Sequence, residues 1–130
     1  MNNLNRKLIH LAVPIFFIHF LEELYFSFYK LDTFILFLAK YVGLDVYILY
    51  ILIQLILFLF LAIILILIIM HKNIEYGSFI IGILLVFEAS HIIPAIISKS
   101  YYPGLFSGCL LFILGIWYWY KFIKIKMVEQ

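Results

Sequence analysis

Residues 46 to 70 read VYILYILIQLILFLFLAIILILIIM, and beyond Gln54 this stretch is apolar on every face that a helix can present. A bilayer-spanning helix needs about 20 such residues, with its backbone hydrogen bonds closed within the segment. Three other stretches approach that standard, which gives expected spans over 8–29, 45–70, 76–98 and 105–121. Hydrophobic residues make up 68% of the chain, against roughly 45–50% in soluble globular domains, and mean hydropathy is +1.20. The expected fold is therefore all-α: one membrane domain over residues 1–130, a four-transmembrane-helix bundle in contact with the lipid bilayer, multi-pass in the cell membrane.

The charged residues suggest a topology. Between the first two spans, YKLDTFILFLAKYVGLD is too short and too charged to cross, and reads as an amphipathic helix resting at the interface. The start, MNNLNRKLIHLAVPIFF, resembles a signal sequence without a small-residue cleavage site, so it reads as a retained anchor. With the N-terminus inside, Arg6, Lys7, Lys72, Lys121, Lys124 and Lys126 are cytoplasmic, and Lys30, Lys40 and Lys99 lie outside. That bias places both termini in the cytoplasm. The stretch WYWYKF at 117 to 122 then forms an aromatic belt, and His10 and His71 are interfacial. The net charge of +2 is spread without a basic stripe, which excludes nucleic acid as a partner. Cys109 is the single cysteine and reads as small packing.

Against this background the polar residues inside the spans stand out, because each costs a few kcal/mol at membrane depth. The first span contains His19, Glu22 and Glu23; the second contains Gln54, with Tyr47 and Tyr50 on nearby turns; the third contains Glu88 and His91. At 1.5 Å per residue Glu22, Glu23, Gln54, Glu88 and His91 lie roughly 10–15 Å from the outer end of their helices. On the first helix His19, Glu23 and Ser27 recur at intervals of four, and on the third Glu88, His91, Ala95 and Ser98 follow a 3-4-3 spacing, so each set shares one face. The two faces are expected to meet in a polar chamber above an apolar inner half. Pro94 frees the carbonyl of Ser90 beside His91, and Gly104 and Gly108 read as close helix packing.

Two chemistries suit these residues. Histidines and carboxylates can hold a divalent metal, zinc or iron, with His19, Glu22, Glu23, Glu88 and His91 as the ligand candidates. Glu88 and His91 have the Glu-x-x-His spacing of helix-bundle iron sites. Alternatively, no metal is needed: Glu22 or Glu23 activates water, Glu88 is a further acid, and a histidine stabilises the oxyanion. Tyr47, Tyr50, Gln54 and Tyr101 are the supporting groups in either case.

The motif His19-Phe20-Leu21-Glu22-Glu23, with the later SHIIPAIISKSYYPGLFSG at 90 to 108, resembles the HXXEE family of small bacterial membrane proteins over essentially the whole chain. The function of that family is not established, and the resemblance implies a membrane-embedded enzyme. A weaker similarity, through Glu22-Glu23 and the Phe87 to His91 spacing, is to the CAAX-processing type of membrane glutamate protease, which implies water activation by a glutamate pair. The expected function is hydrolysis of a lipid-like or membrane-borne substrate. The alternative is a small transport, proton-relay or immunity-type protein that breaks no bonds, and a homo-oligomer or an accessory partner is compatible with both.

Overall fold

A computed structural model describes residues 2–70 and 74–128. His71 and Lys72, expected at the cytoplasmic side, fall outside these residues, as do the side chains of Arg6 and Lys126. Every regular element described is helical: α1 (Asn2–Tyr25), a 3-10 turn (Phe28–Lys30), α2 (Thr33–Val42), α3 (Val46–Ile69), α4 (Ile74–Phe87), α5 (Ala89–Ser98) and α6 (Leu105–Val128).

Among the described residues three stretches are long and apolar enough to cross a membrane: Val46–Leu67, Tyr76–Ser98 and Leu105–Ile125. That is one fewer than the sequence reading expected. The missing one is α1, which has the length but is the least apolar of the 24-residue helices. The side chains at 2–6 and 9 of that helix lie outside the described residues. It also ends at Tyr25 rather than continuing to residue 29, and Ser27 turns the chain with a left-handed φ of 57°.

The expected helix over 76–98 is divided at Glu88, where the His91 N–H bonds to the Glu88 carbonyl at 3.1 Å in a tight turn. Local signals explain the other boundaries. The Asp32 carboxylate accepts from the Ile35 N–H at 2.7 Å and starts α2, which stops at Gly43 with φ 74°. The Asp45 carboxylate accepts from the Tyr47 and Ile48 N–H groups at 3.0 and 3.2 Å and starts α3. Lacking any such stop, α6 continues past the expected end at 121 to Val128.

Helix α6 packs along α1, α4 and α5, while α3 rests on α2 and α4 and on one edge of α1. Between them Leu8, Phe16, Leu61, Ile81, Leu85 and Leu111 form a closed apolar core. The outward faces are equally apolar, with Ile56, Leu59, Ile66 and Ile113 all more than half exposed. An exterior of that kind has no counterpart on a typical water-soluble monomer.

Close approach of α4 and α6 depends on Gly115. A Cβ there would lie 2.9 Å from the Leu85 Cβ and 3.2 Å from its backbone carbon, so the backbone itself would have to yield. Gly115→Val is therefore expected to destabilise the fold by about 1–3 kcal/mol, read as a lowered midpoint of thermal unfolding in detergent. An unchanged midpoint would mean that α4 and α6 do not pack through this glycine.

Candidate functional site

The turn that divides α4 from α5 faces α1 at the level of its polar residues. His19 and Glu23, one helical turn apart, are 6% and 3% exposed, and His91 is 6% exposed. The His19 Nε2 lies 3.0 Å from the Glu88 Oε2 and 3.6 Å from the Glu23 Oε1. The His91 Nε2 lies 3.4 Å from the same Glu23 oxygen and 3.8 Å from the same Glu88 oxygen. The two imidazoles meet edge to face at 4.7 Å. Two helix faces, read separately in the sequence, thus form one cluster.

The outward hydrogen bonds decide where the ring protons sit. The His91 Nδ1 lies 2.8 Å from the Pro103 carbonyl oxygen, which can only accept, so Nδ1 carries the hydrogen. The His19 Nδ1 lies 2.9 Å from the Ser107 hydroxyl, and that hydroxyl gives its single proton to the Glu22 carboxylate. Towards His19 it must therefore accept, so this Nδ1 is also protonated. Both Nε2 lone pairs then point inward at carboxylate oxygens.

Glu23 is held from its far side, its Oε2 accepting from the Tyr50 hydroxyl and the Gln54 amide, each at 3.0 Å, which leaves Oε1 for the cluster. The Glu88 Oε2 is buried without a hydrogen-bond partner. Acceptors gathered this closely, with no donor among them, repel one another unless a proton or a cation lies between. One ligand atom each from His19, Glu88 and His91 lies within 4.8 Å of the other two, so these three can hold a metal ion. Bound zinc, with ligands near 2.0 Å, separates its tetrahedral donors by about 3.3 Å. The 3.0 and 3.8 Å separations about Glu88 bracket that figure.

Glu22 has a separate task. Its carboxylate accepts from the Phe106 and Ser107 N–H groups at 3.1 and 2.9 Å, from the Tyr101 hydroxyl at 2.7 Å and from the Ser107 hydroxyl. It therefore covers the N-terminus of α6, where free N–H groups and the helix dipole favour an anion. Partial burial and the Glu22 carboxylate push the Tyr101 hydroxyl above the ordinary tyrosine range, so it stays a donor.

Of the expected site residues, His19, Glu23, Glu88 and His91 come together, with Tyr50 and Gln54 behind Glu23 and Tyr101 behind Glu22. Tyr47 does not join them: it is 45% exposed and its ring packs on Tyr29 at 5.3 Å. Ser98 is exposed and bonds the Pro94 carbonyl, and Phe87 is 70% exposed.

Two participants lacked a sequence assignment, Pro103 as an acceptor and Ser107 as a link, and Gly104, expected as close helix packing, instead lies in the turn before α6 as a roof over both rings. A Cβ on Gly104 would lie 2.7 Å from the His19 Cε1 and 2.8 Å from the His91 Nδ1, and its φ of 84° also favours glycine. The usable signal was a Pro-Gly turn directly before a helix, which leaves N–H groups facing whatever anion lies nearby. Beside the cluster is a cavity of about 120 Å³ lined by Phe16, His19, Glu23, Gln54, Leu57, Phe58, Glu88 and His91.

A family model described as "protein of unknown function with HXXEE motif" matches residues 10–118, which include every member of this cluster. No curated protein and no solved structure matches the chain.

The proton placement has a direct spectroscopic consequence. In ¹⁵N-histidine spectra His19 and His91 should both carry hydrogen on Nδ1, and Ser107→Ala should perturb His19 while leaving His91 unchanged. Hydrogen on Nε2 at both rings would contradict the network.

Proposed function

The chain belongs to the HXXEE family, and on that footing we infer that it is a membrane-embedded hydrolase with a metal centre formed by His19, Glu88 and His91. In this reading α1 joins the three apolar stretches as a fourth span, its polar face turned inward. The termini are cytoplasmic, α2 rests at the interface, and the lipid phase of the cell membrane covers the apolar exterior.

The observation that carries the reading is the inward convergence of two unprotonated imidazole nitrogens and the carboxylate oxygens of Glu23 and Glu88, with both Nδ1 positions committed outward. Outward hydrogen bonds that fix ring orientation and tautomer are what metal-binding histidines require. Two histidines and one carboxylate are also a donor set of catalytic zinc sites, which keep a further position open. A divalent ion held there supplies Lewis-acid polarisation of a carbonyl and of the attacking water.

Glu23 is the base in this scheme. Tyr50 and Gln54 fix its Oε2, while Oε1 borders the cavity. It takes a proton from water as the water oxygen bonds to the substrate carbonyl carbon. It then delivers that proton to the leaving oxygen or nitrogen as its bond to the carbonyl carbon breaks, giving an acid and an alcohol or amine. Glu22 and Ser107 hold His19 in position. The apolar core packed below the site, built around Leu8, Leu61, Ile81, Leu85 and Leu111, favours bond breaking over ion passage.

The test is a panel of ester- and amide-linked lipids presented to zinc-loaded protein in nanodiscs. Glu23→Gln keeps the geometry but cannot take a proton, and is expected to retain zinc while losing at least about 100-fold in turnover. Full turnover by that variant on a substrate that the parent protein cleaves would remove Glu23 from the chemistry.

A further inference from the structure

Two cavities lie one beyond the other along the seam between α1 and α3. The site cavity is bounded by Phe16, Leu57 and Phe58, and a second cavity of about 190 Å³, lined by Val13, Phe58, Leu61, Ala62 and Leu65, shares Phe58 as a wall. The helices run antiparallel here, since Glu23 meets Gln54, Phe20 meets Phe58, and Val13 lies opposite Leu65. Passing from 16 to 13 on α1 and from 58 to 65 on α3 therefore leads the same way, by roughly 5 Å on the first helix and roughly 10 Å on the second. The walls of the second cavity are wholly apolar, as suits a hydrocarbon occupant.

Charge limits the other end. The site cavity is lined by two carboxylates and by no lysine or arginine. With a divalent ion held there the two carboxylates already balance its charge, so a phosphate would add net negative charge with no basic side chain to meet it. An uncharged carbonyl meets no such barrier.

We propose that the site takes an uncharged acyl ester or amide on a single hydrocarbon chain, with the carbonyl at the His/Glu cluster and the chain in the crevice between α1 and α3. This rests on the hydrolytic reading of the cluster and adds the substrate class and the direction of its chain. Ala62 lies at the crevice and is exposed, so a large side chain there fills the seat without touching His19, Glu23, Glu88 or His91.

The test uses a methyl dodecanoate bearing a photoreactive diazirine on its chain, irradiated with zinc-loaded protein in phosphatidylcholine nanodiscs and mapped by peptide mass spectrometry. Labelling is expected to favour Leu61, Ala62 and Leu65 at least about fivefold over Leu59, Ile63 and Ile113, which are equally apolar and face outward. In Ala62→Trp that preference should disappear while zinc content stays unchanged. Even labelling of all outward apolar residues, or a preference that survives Ala62→Trp, would overturn the crevice as a seat while leaving the metal reading intact. Failure of the parent protein to retain zinc would instead remove the hydrolytic reading, and this proposal with it.

Discussion

Four acceptor atoms from His19, Glu23, Glu88 and His91, with histidine-to-carboxylate separations of 3.0 to 3.8 Å and little solvent access, cannot stay this close without positive charge or protons to hold them. The rest of the fold serves that constraint. The chain turns at Glu88 so that Glu88 and His91 face α1, the Pro103-Gly104 turn lies flat against both rings, and α6 starts where its first N–H groups can anchor Glu22. A simple bundle of anchors would need none of these devices.

The adjacent glutamates show how one helix assigns two jobs. Consecutive helical residues point about 100° apart, so Glu22 and Glu23 cannot serve the same centre equally. Glu22 faces α6 and, through the Ser107 hydroxyl, sets the protonation of His19. Glu23 faces α3 and the cavity, where Tyr50 and Gln54 fix one oxygen and free the other. The motif His19-Phe20-Leu21-Glu22-Glu23 thus links three neighbouring helices. Its middle residues face other surroundings: Phe20 packs on Tyr50 and Phe58, while Leu21 is exposed.

Much of this was legible in the sequence because lipid-like helices are so uniform that polar exceptions stand out. The apolar stretches, the short α2 and the pairing of His19 and Glu23 with Glu88 and His91 all follow from spacing and depth. What was not legible depends on closure of the chain in three dimensions. Periodicity put Tyr47 on the same side as Tyr50 and Gln54, yet at the first turn of α3 it meets Tyr29 instead. It also made Glu88 part of one continuous helix, whereas the carboxyl group sits at a break. Ser107 and Pro103 act only because the segment from 99 to 104 folds back over the rings, a return that the Pro103-Gly104 turn marks locally without showing what it covers.

The most direct measurement is zinc-edge X-ray absorption on the purified protein after zinc loading and removal of excess metal. The account expects about one ion per chain, with two imidazole nitrogens and one or two carboxylate or water oxygens near 2.0 Å, and loss of the bound ion in both His19→Ala and His91→Ala. No retained ion, a sulfur ligand, or a spectrum unaffected by either substitution would contradict a metal centre at the junction of α1, α4 and α5.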